Sequence, residues 1–381
     1  MGGVGRGRRG RAARGRRATG RRPVDEQDRA ALQELLRAYG PVGQEDEVRE
    51  VARRRLEPSV DRCWQDPAGN VVGLVRGTDP DAPAVRVTAH LDELSMLVKR
   101  VEPDGSLHVT PLGTMYPGNF GLGPVAVLGD GRHLPGVLAL GSEHTTQETP
   151  RVWQTKPDGG DQALDWTHVS VFTGRSPADL ADAGVGPGTR VCVDRSKRGL
   201  FDVGGFVGSY FLDDRAAVAA LLRAARELRG GTRPRADTYL VLSVAEEIGG
   251  VGASYACRTL PGDLVVALEV GPAEAEYGTS VHGGPVVGYS DAAGVYDKRV
   301  ADRLCAAARA RGVVAQPAVL GAFESDASHA TAAGLSARAG LLCLPTLSTH
   351  GYEVMPATAV TDVAAVLVEF LRQPAEREGP V

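Results

Sequence analysis

The sequence predicts an α/β fold, a mixed and largely parallel sheet covered by helices, interrupted by an inserted small β-barrel domain. Three observations predict it. Helical spacing alternates with short apolar runs toward both ends of the chain, the pattern of strands joined through helices. Between about Leu94 and Gly204 that pattern gives way to short alternating strands with frequent Gly and Pro. With 381 residues, 43% of them hydrophobic, the chain is long enough for two cores.

From Val24 to about Pro58, Ala30, Leu32, Leu35, Leu36 and Tyr39 fall near helical spacing, and a second helix follows from Glu45. Val71–Val75 and Ala84–Ala89 read as strands, the latter running into His90-Leu91-Asp92-Glu93. Within the middle region Ser106–Thr110, Pro124–Leu128 and Arg190–Asp194 read as strands, with one short helix at Pro177–Ala183. After Gly205 the order is helix Asp214–Arg229, strand Thr238–Val244, strand Asp263–Leu268 and helix Asp297–Arg311, then a last strand and helix ending near Phe370. The boundaries are therefore 23–95 and 205–381 for the α/β domain and 96–204 for the insert.

Residues 1–22 carry nine arginines and no acid, a composition that predicts disorder. A phosphate-binding tether is one reading of it, and an unstructured leader is the favoured one. Beyond it 34 basic residues face 47 acidic ones, a balance that argues against a nucleic-acid partner and suits a site that gathers cations. No apolar stretch reaches the roughly 20 residues that span a bilayer. The five cysteines are widely spaced without a Cys-x-x-Cys pair, which predicts reduced thiols and a cytoplasmic location.

Potential metal ligands stand at or just beyond strand ends: His90, Asp213, Glu247, Glu269 and His350. Such ends converge in an open α/β sheet. Two histidines and three carboxylates, one of them bridging, suffice for two divalent ions that hold a hydroxide between them and polarise a carbonyl. Glu246, beside Glu247 on an apolar strand, points the other way by strand alternation and serves as the proton carrier. Asp92, two residues after His90, suits the carboxylate that orients a ligating histidine. Plainer readings exist: a core histidine at His90, a helix N-cap at Asp213 or Asp214, a solvated turn at Glu246-Glu247. Gly249-Gly-Val-Gly252 lacks a full dinucleotide fingerprint, and no G-x-S-x-G elbow is present.

Ala89-His-Leu-Asp-Glu93, Leu212-Asp-Asp-Arg215, Ala245-Glu-Glu-Ile-Gly249 with Gly252-Ala253, and the late Ser325-Asp326 and His350 resemble the M42 family of dinuclear metallo-aminopeptidases. The segments around Val171–Pro177 and Val185–Val193 resemble that family's inserted β domain, and the likeness runs in order over about residues 25 to 372. It implies a zinc-peptidase, phosphorylase/hydrolase-like fold and two divalent ions per subunit, zinc or cobalt. It further implies Asp213 as the bridge, Glu246 as the general base, Asp92 behind His90 and a non-proline cis bond at Asp213-Asp214. Which of Glu269 and His350 goes with which metal is left open. Asp326 falls by the substrate, with loop capping as the alternative. The implied partners are short peptides and other copies of the chain, joined through the insert, up to a twelve-subunit shell. Two departures touch specificity: Glu269 stands where the family usually has Asp, and Thr349-His-Gly-Tyr-Glu353 replaces a His-Ser-Pro ending. A metal-dependent amidase or deacylase is the alternative activity. An endoglucanase-type mechanism, which wants paired carboxyls and no metal, is disfavoured, as is a non-catalytic scaffold.

Overall fold

The computed structural model describes residues 25–373, so the arginine-rich segment 1–22 lies outside the described residues. Eight strands form one sheet in the order Arg62–Gln65, Val71–Val75, Thr238–Ser243, Val85–His90, Leu264–Pro272, Arg338–Thr346, Val286–Asp291, Gln316–Leu320. The four central strands pair in parallel, from Thr238–Ser243 through Arg338–Thr346; antiparallel pairs flank them on both sides, and the last pair, Val286–Asp291 with Gln316–Leu320, is parallel again. Burial on both faces explains their near-continuous aliphatic sequences.

Alternation along the strands separates two cores. Val266, Leu268, Leu342 and Leu344 belong to the larger one, which includes the inner sides of Glu26–Arg37, Leu212–Gly230, Lys298–Ala310 and Ala359–Arg372. Val265, Ala267, Leu341 and Cys343 face the other way, onto Val251–Thr259 and Asp326–Ala332. Leu212–Gly230 is the central helix, and its run of buried alanines lets neighbouring elements approach closely.

The insert is a closed antiparallel barrel of six strands, ordered Ser95–Val101, Leu107–Leu112, Ser170–Phe172, Arg132–Ala139, Gly123–Gly129, Arg190–Val193. Its interior is lined by Met96, Val98, Leu107, Val109, Val125, Val127, Val171 and Val191. The chain leaves it through Phe201–Val203 and Phe206–Tyr210, which form a small separate sheet in which Phe206–Tyr210 pairs with Tyr352–Pro356 on its other side. Two short helices the sequence did not predict, Pro117–Phe120 and Pro150–Trp153, lie in its connections, where one or two turns carry too little periodicity to read.

A buried ion triad joins the two domains. Arg198, just past the last barrel strand, makes a bidentate pair with Glu93 at 2.6 and 2.9 Å. Arg215 donates to the same carboxylate at 2.7 Å, and all three side chains are shielded from solvent.

Candidate metal centre and active site

The site lies at the C-terminal ends of the central parallel strands. His90 is the last residue of its strand and is in register with Ser243. Glu269 departs from the sequence reading, because its strand continues to Pro272 instead of ending there. Its pairing with the Val85–His90 strand stops at Ala267↔Thr88, so beyond that point one side of the strand is open. Alternation turns Glu269 toward the face of the short helices, into a cavity of about 680 Å³. That cavity is also lined by His90, Asp213, Glu246, Glu247 and His350.

Glu246 and Glu247 also depart from the strand-alternation reading. Their strand ends at Ser243, Ala245 takes a left-handed conformation with φ 55°, and the two glutamates sit in the following turn. Asp92 fixes that turn, its two carboxylate oxygens accepting the N–H groups of Glu246 and Glu247 at 2.9 and 3.0 Å. Burial alone would push the Asp92 carboxyl up, but His90 and these two N–H groups hold it below its ordinary value. Asp92 thus holds Glu246 and Glu247 in place as well as the histidine, a contact its spacing from His90 does not reveal.

The histidine and carboxylate atoms converge. His90 Nε2 lies 3.0 Å from Asp213 Oδ1, 3.7 Å from Glu269 Oε2 and 4.0 Å from Glu246 Oε2. Its Nδ1 lies 3.1 Å from the Asp92 carbonyl oxygen and 3.6 Å from Asp92 Oδ1. A proton on Nδ1 leaves the Nε2 lone pair aimed at the carboxylates. The other oxygen of Asp213, Oδ2, lies 3.5 Å from His350 Nε2. Two sets, His90 with Asp213 and Glu247, and His90 with Asp214 and Glu269, bring three ligand atoms within 4.8 Å of one another.

The capping readings of the two aspartates do not hold. Neither side chain caps the Leu212–Gly230 helix, and both residues have non-helical backbone. The Asp213-Asp214 bond is cis, as the resemblance implied. Asp214 Oδ2 accepts the His90 backbone N–H at 3.1 Å, so the residue braces the histidine from behind. Glu353, unremarked in the sequence, does the same on the other side: its oxygens accept the N–H groups of Asp213 at 2.9 Å and His350 at 3.1 Å. Asp326 is placed differently from the sequence reading. It is fully buried, accepts a 2.5 Å hydrogen bond from Ser243 Oγ and does not line the cavity, while Ser325 caps its helix.

Electrostatics test whether these residues suit cations. Burial raises the carboxyls of Glu246, Glu247, Glu269 and Asp214 well above their ordinary values, reinforced by their mutual repulsion. For His90 burial opposes the charge, yet Glu269, Asp213 and Asp92 outweigh it and raise the imidazole. Asp214 Oδ1, Glu247 Oε1 and Glu269 Oε1 are buried without a hydrogen-bond partner. Among the described residues no lysine or arginine lines the cavity. Acceptors this close, buried and lacking donors, need positive charge among them, so the residues fit divalent cations.

The described residues with positive φ other than glycine are Phe211, Ala245, Ser348 and His350, and all four flank this site. Each such conformation costs on the order of 1–3 kcal/mol and persists only where the surroundings over-determine it. At His350 the hydrogen bond from its N–H to Glu353 supplies part of that constraint.

The chain resembles known proteins in sequence and in fold. Residues 69–366 match the model of the M42 glutamyl aminopeptidase family. A lysyl aminopeptidase from Pyrococcus furiosus is 27% identical over 255 residues, covering 64% of this chain and 66%, just under two-thirds, of that protein. In structure the chain is similar to an aminopeptidase from the archaeon Desulfurococcus kamchatkensis, with TM-score 0.81 and 24% identity over 91% of this chain and 95% of that one. It is also similar to the Pyrococcus horikoshii TET1 peptidase, which can assemble into a tetrahedron or a large octahedral shell, with TM-score 0.77 and 20% identity over 91% and 99%. With a family model matched over most of its length, the chain belongs to the M42 glutamyl aminopeptidase family, a family of peptide hydrolases.

Proposed function

We propose that the chain is a dinuclear metal-dependent aminopeptidase that removes N-terminal residues from short peptides, with Glu246 as the proton carrier. The observation that carries this reading is the placement of Glu246 beside the ligand cluster without being needed to complete it. Its Oε2 is 4.0 Å from His90 Nε2, and burial pushes its carboxyl well above the ordinary carboxylate value. The two oxygens of Asp213 divide the ligands, one facing His90 and the other His350. We assign His90, Asp213 and Glu269 to one ion and Asp213, Glu247 and His350 to the other. Glu247 also falls near His90, but His350 needs a second carboxylate, and Glu269 already stands 3.7 Å from His90.

Two bound divalent ions would supply Lewis acidity at the scissile carbonyl and a lowered pKa for water held between them. The remaining work falls to side chains of this chain. Glu246 accepts a proton at its carboxylate from the attacking water and delivers it to the departing amine. Asp92 keeps Glu246 at that position through the N–H of its own residue. The excess of carboxylates in the cavity favours a free, cationic N-terminus.

Supporting a cytoplasmic setting, Cys192, Cys257, Cys305 and Cys343 are free and buried and Cys63 is free. Among the described residues no helix is long and apolar enough to cross a membrane. Exposed Val137 and Phe172 on the barrel, with Phe201 beside it, suit assembly of copies through the insert, testable by gel filtration. The activity is tested with aminoacyl amides and dipeptides carrying either a free or an acylated amine, before and after chelation. Chelator-sensitive cleavage of the free-amine series alone is expected. Preference for the acylated series would establish a deacylase instead.

A further inference from the structure

We infer that the inserted barrel completes the metal centre, its 113–121 loop positioning His350 so that the seating of this loop sets the cation affinity of the His350 half. The inference rests on the two-metal reading of the site. His350 is the ligand candidate least supported by the sheet: its side chain is 35% exposed, and its backbone is left-handed with φ 62°. It follows the Arg338–Thr346 strand on a loop whose own backbone is unusual at Ser348 as well.

The barrel loop grips this segment at three points. The carbonyl of Thr114 lies 2.6 Å from His350 Nδ1 and accepts its proton, which turns Nε2 toward Asp213 Oδ2. The Asn119 side-chain amide donates to the carbonyls of both Thr349 and His350 at 3.2 Å. Gly351 permits this approach, because a Cβ there would stand 2.8 Å from the Asn119 carbonyl. That close approach gives a physical reason for the His-Gly-Tyr-Glu ending.

The loop is itself anchored. Trp166 Nε1, in the barrel's long connection, donates to the Met115 carbonyl at 2.9 Å. Buried Phe120 packs edge-on against Trp166 and Tyr210 and lies tilted against Phe211, just ahead of Leu212-Asp213. A displacement of the barrel therefore reaches both a histidine and the strand end that carries the bridging aspartate. The ring of His90 is held locally instead: its Nδ1 partner, Asp92, is only two residues away.

The test is calorimetric titration of the metal-free full-length protein with Zn(II), repeated with Co(II) to follow the visible absorption of each equivalent. Wild type is expected to take up two equivalents. Asn119→Ala should leave the first unchanged and weaken the second by about 10- to 100-fold, the usual cost of losing a partner behind a ligand. Asn119 is exposed, so the variant is expected to fold, and an unchanged melting temperature of the metal-free form checks this. Asn119→Asp keeps the shape and removes the donor. It should weaken the second equivalent too, whereas a simple field effect of its charge would strengthen it. His350→Ala should abolish the second equivalent, with Asn119→Ala adding nothing to that variant. Two equivalents in wild type with Asn119→Ala indistinguishable from it would overturn this inference and leave the proposed function standing, as would equal weakening of both equivalents. Fewer than two equivalents in wild type would remove the two-metal reading, and this inference with it.

Discussion

The two halves of the site offer similar candidate ligands held by different means. His90 is buried at a strand end, braced by Asp214 through its backbone and by Asp92 through its ring, so its position follows from sheet register. His350 sits on a loop, partly exposed, and is held by Glu353 on one side and by two barrel residues on the other. Register is specified by the burial of a whole strand and is costly to disturb. A loop held by a few hydrogen bonds is cheaper to move. The comparison therefore separates a rigid half from an adjustable one, and the adjustable half is joined to the domain that carries the exposed apolar surface.

The largest effect expected within the comparison is on the rigid half. Asp92→Asn removes one carboxylate oxygen from the pair that holds the Glu246 and Glu247 N–H groups, and should lower turnover by about 10- to 100-fold with its ring partner weakened as well. Steady-state kinetics beside metal analysis checks it, and normal turnover would break the claim that this turn is held by Asp92. Next comes the joint between the domains. Arg198→Met leaves Glu93 with Arg215 as its remaining partner and should destabilise the protein by about 3–5 kcal/mol, as measured by denaturant unfolding. A loss under about 1 kcal/mol would show that the barrel is seated by other contacts.

The smallest expected effect concerns pH and the adjustable half. Burial, followed by the Asp213 charge, holds the Glu353 carboxyl at about 8 rather than its ordinary 4.5. A raised carboxyl favours the protonated folded form, so its contribution is complete below 4.5 and is lost as pH rises toward about 8. The chelated protein should therefore lose melting temperature across that window, with Glu247 and Glu269 contributing in the same direction. Glu353→Gln should flatten part of the slope. A melting temperature of the chelated protein that rises with pH over this interval would contradict the account.

Much of this organisation was legible in the amino-acid sequence, for identifiable reasons. The apolar runs around Val241, Val266 and Leu342 are buried on both faces, and that burial imposes the composition from which strands are read. His90, Asp213 and Glu247 were legible because chemically expensive groups next to apolar strands need a reason to be there. What could not be read depends on contacts between distant residues. Nothing local marks Glu353 as the acceptor for Asp213, 140 positions earlier, or Thr114 as the acceptor for His350, 236 positions later. Glu269 was misplaced at a strand end because the neighbouring strand, rather than its own, terminates there. Asp326 sits in an acidic-looking loop by sequence but in space opens a buried helix, bonded to Ser243 at the end of a central strand.

The most direct test of the central claim is the metal content and turnover of Glu246→Gln. The substitution keeps the side chain's size and removes its ability to take a proton, while the proposed ligands His90, Asp213, Glu247, Glu269 and His350 are untouched. The account predicts two ions per chain, as in wild type, with turnover reduced by about 100- to 10,000-fold. Two ions with near-normal turnover would contradict it.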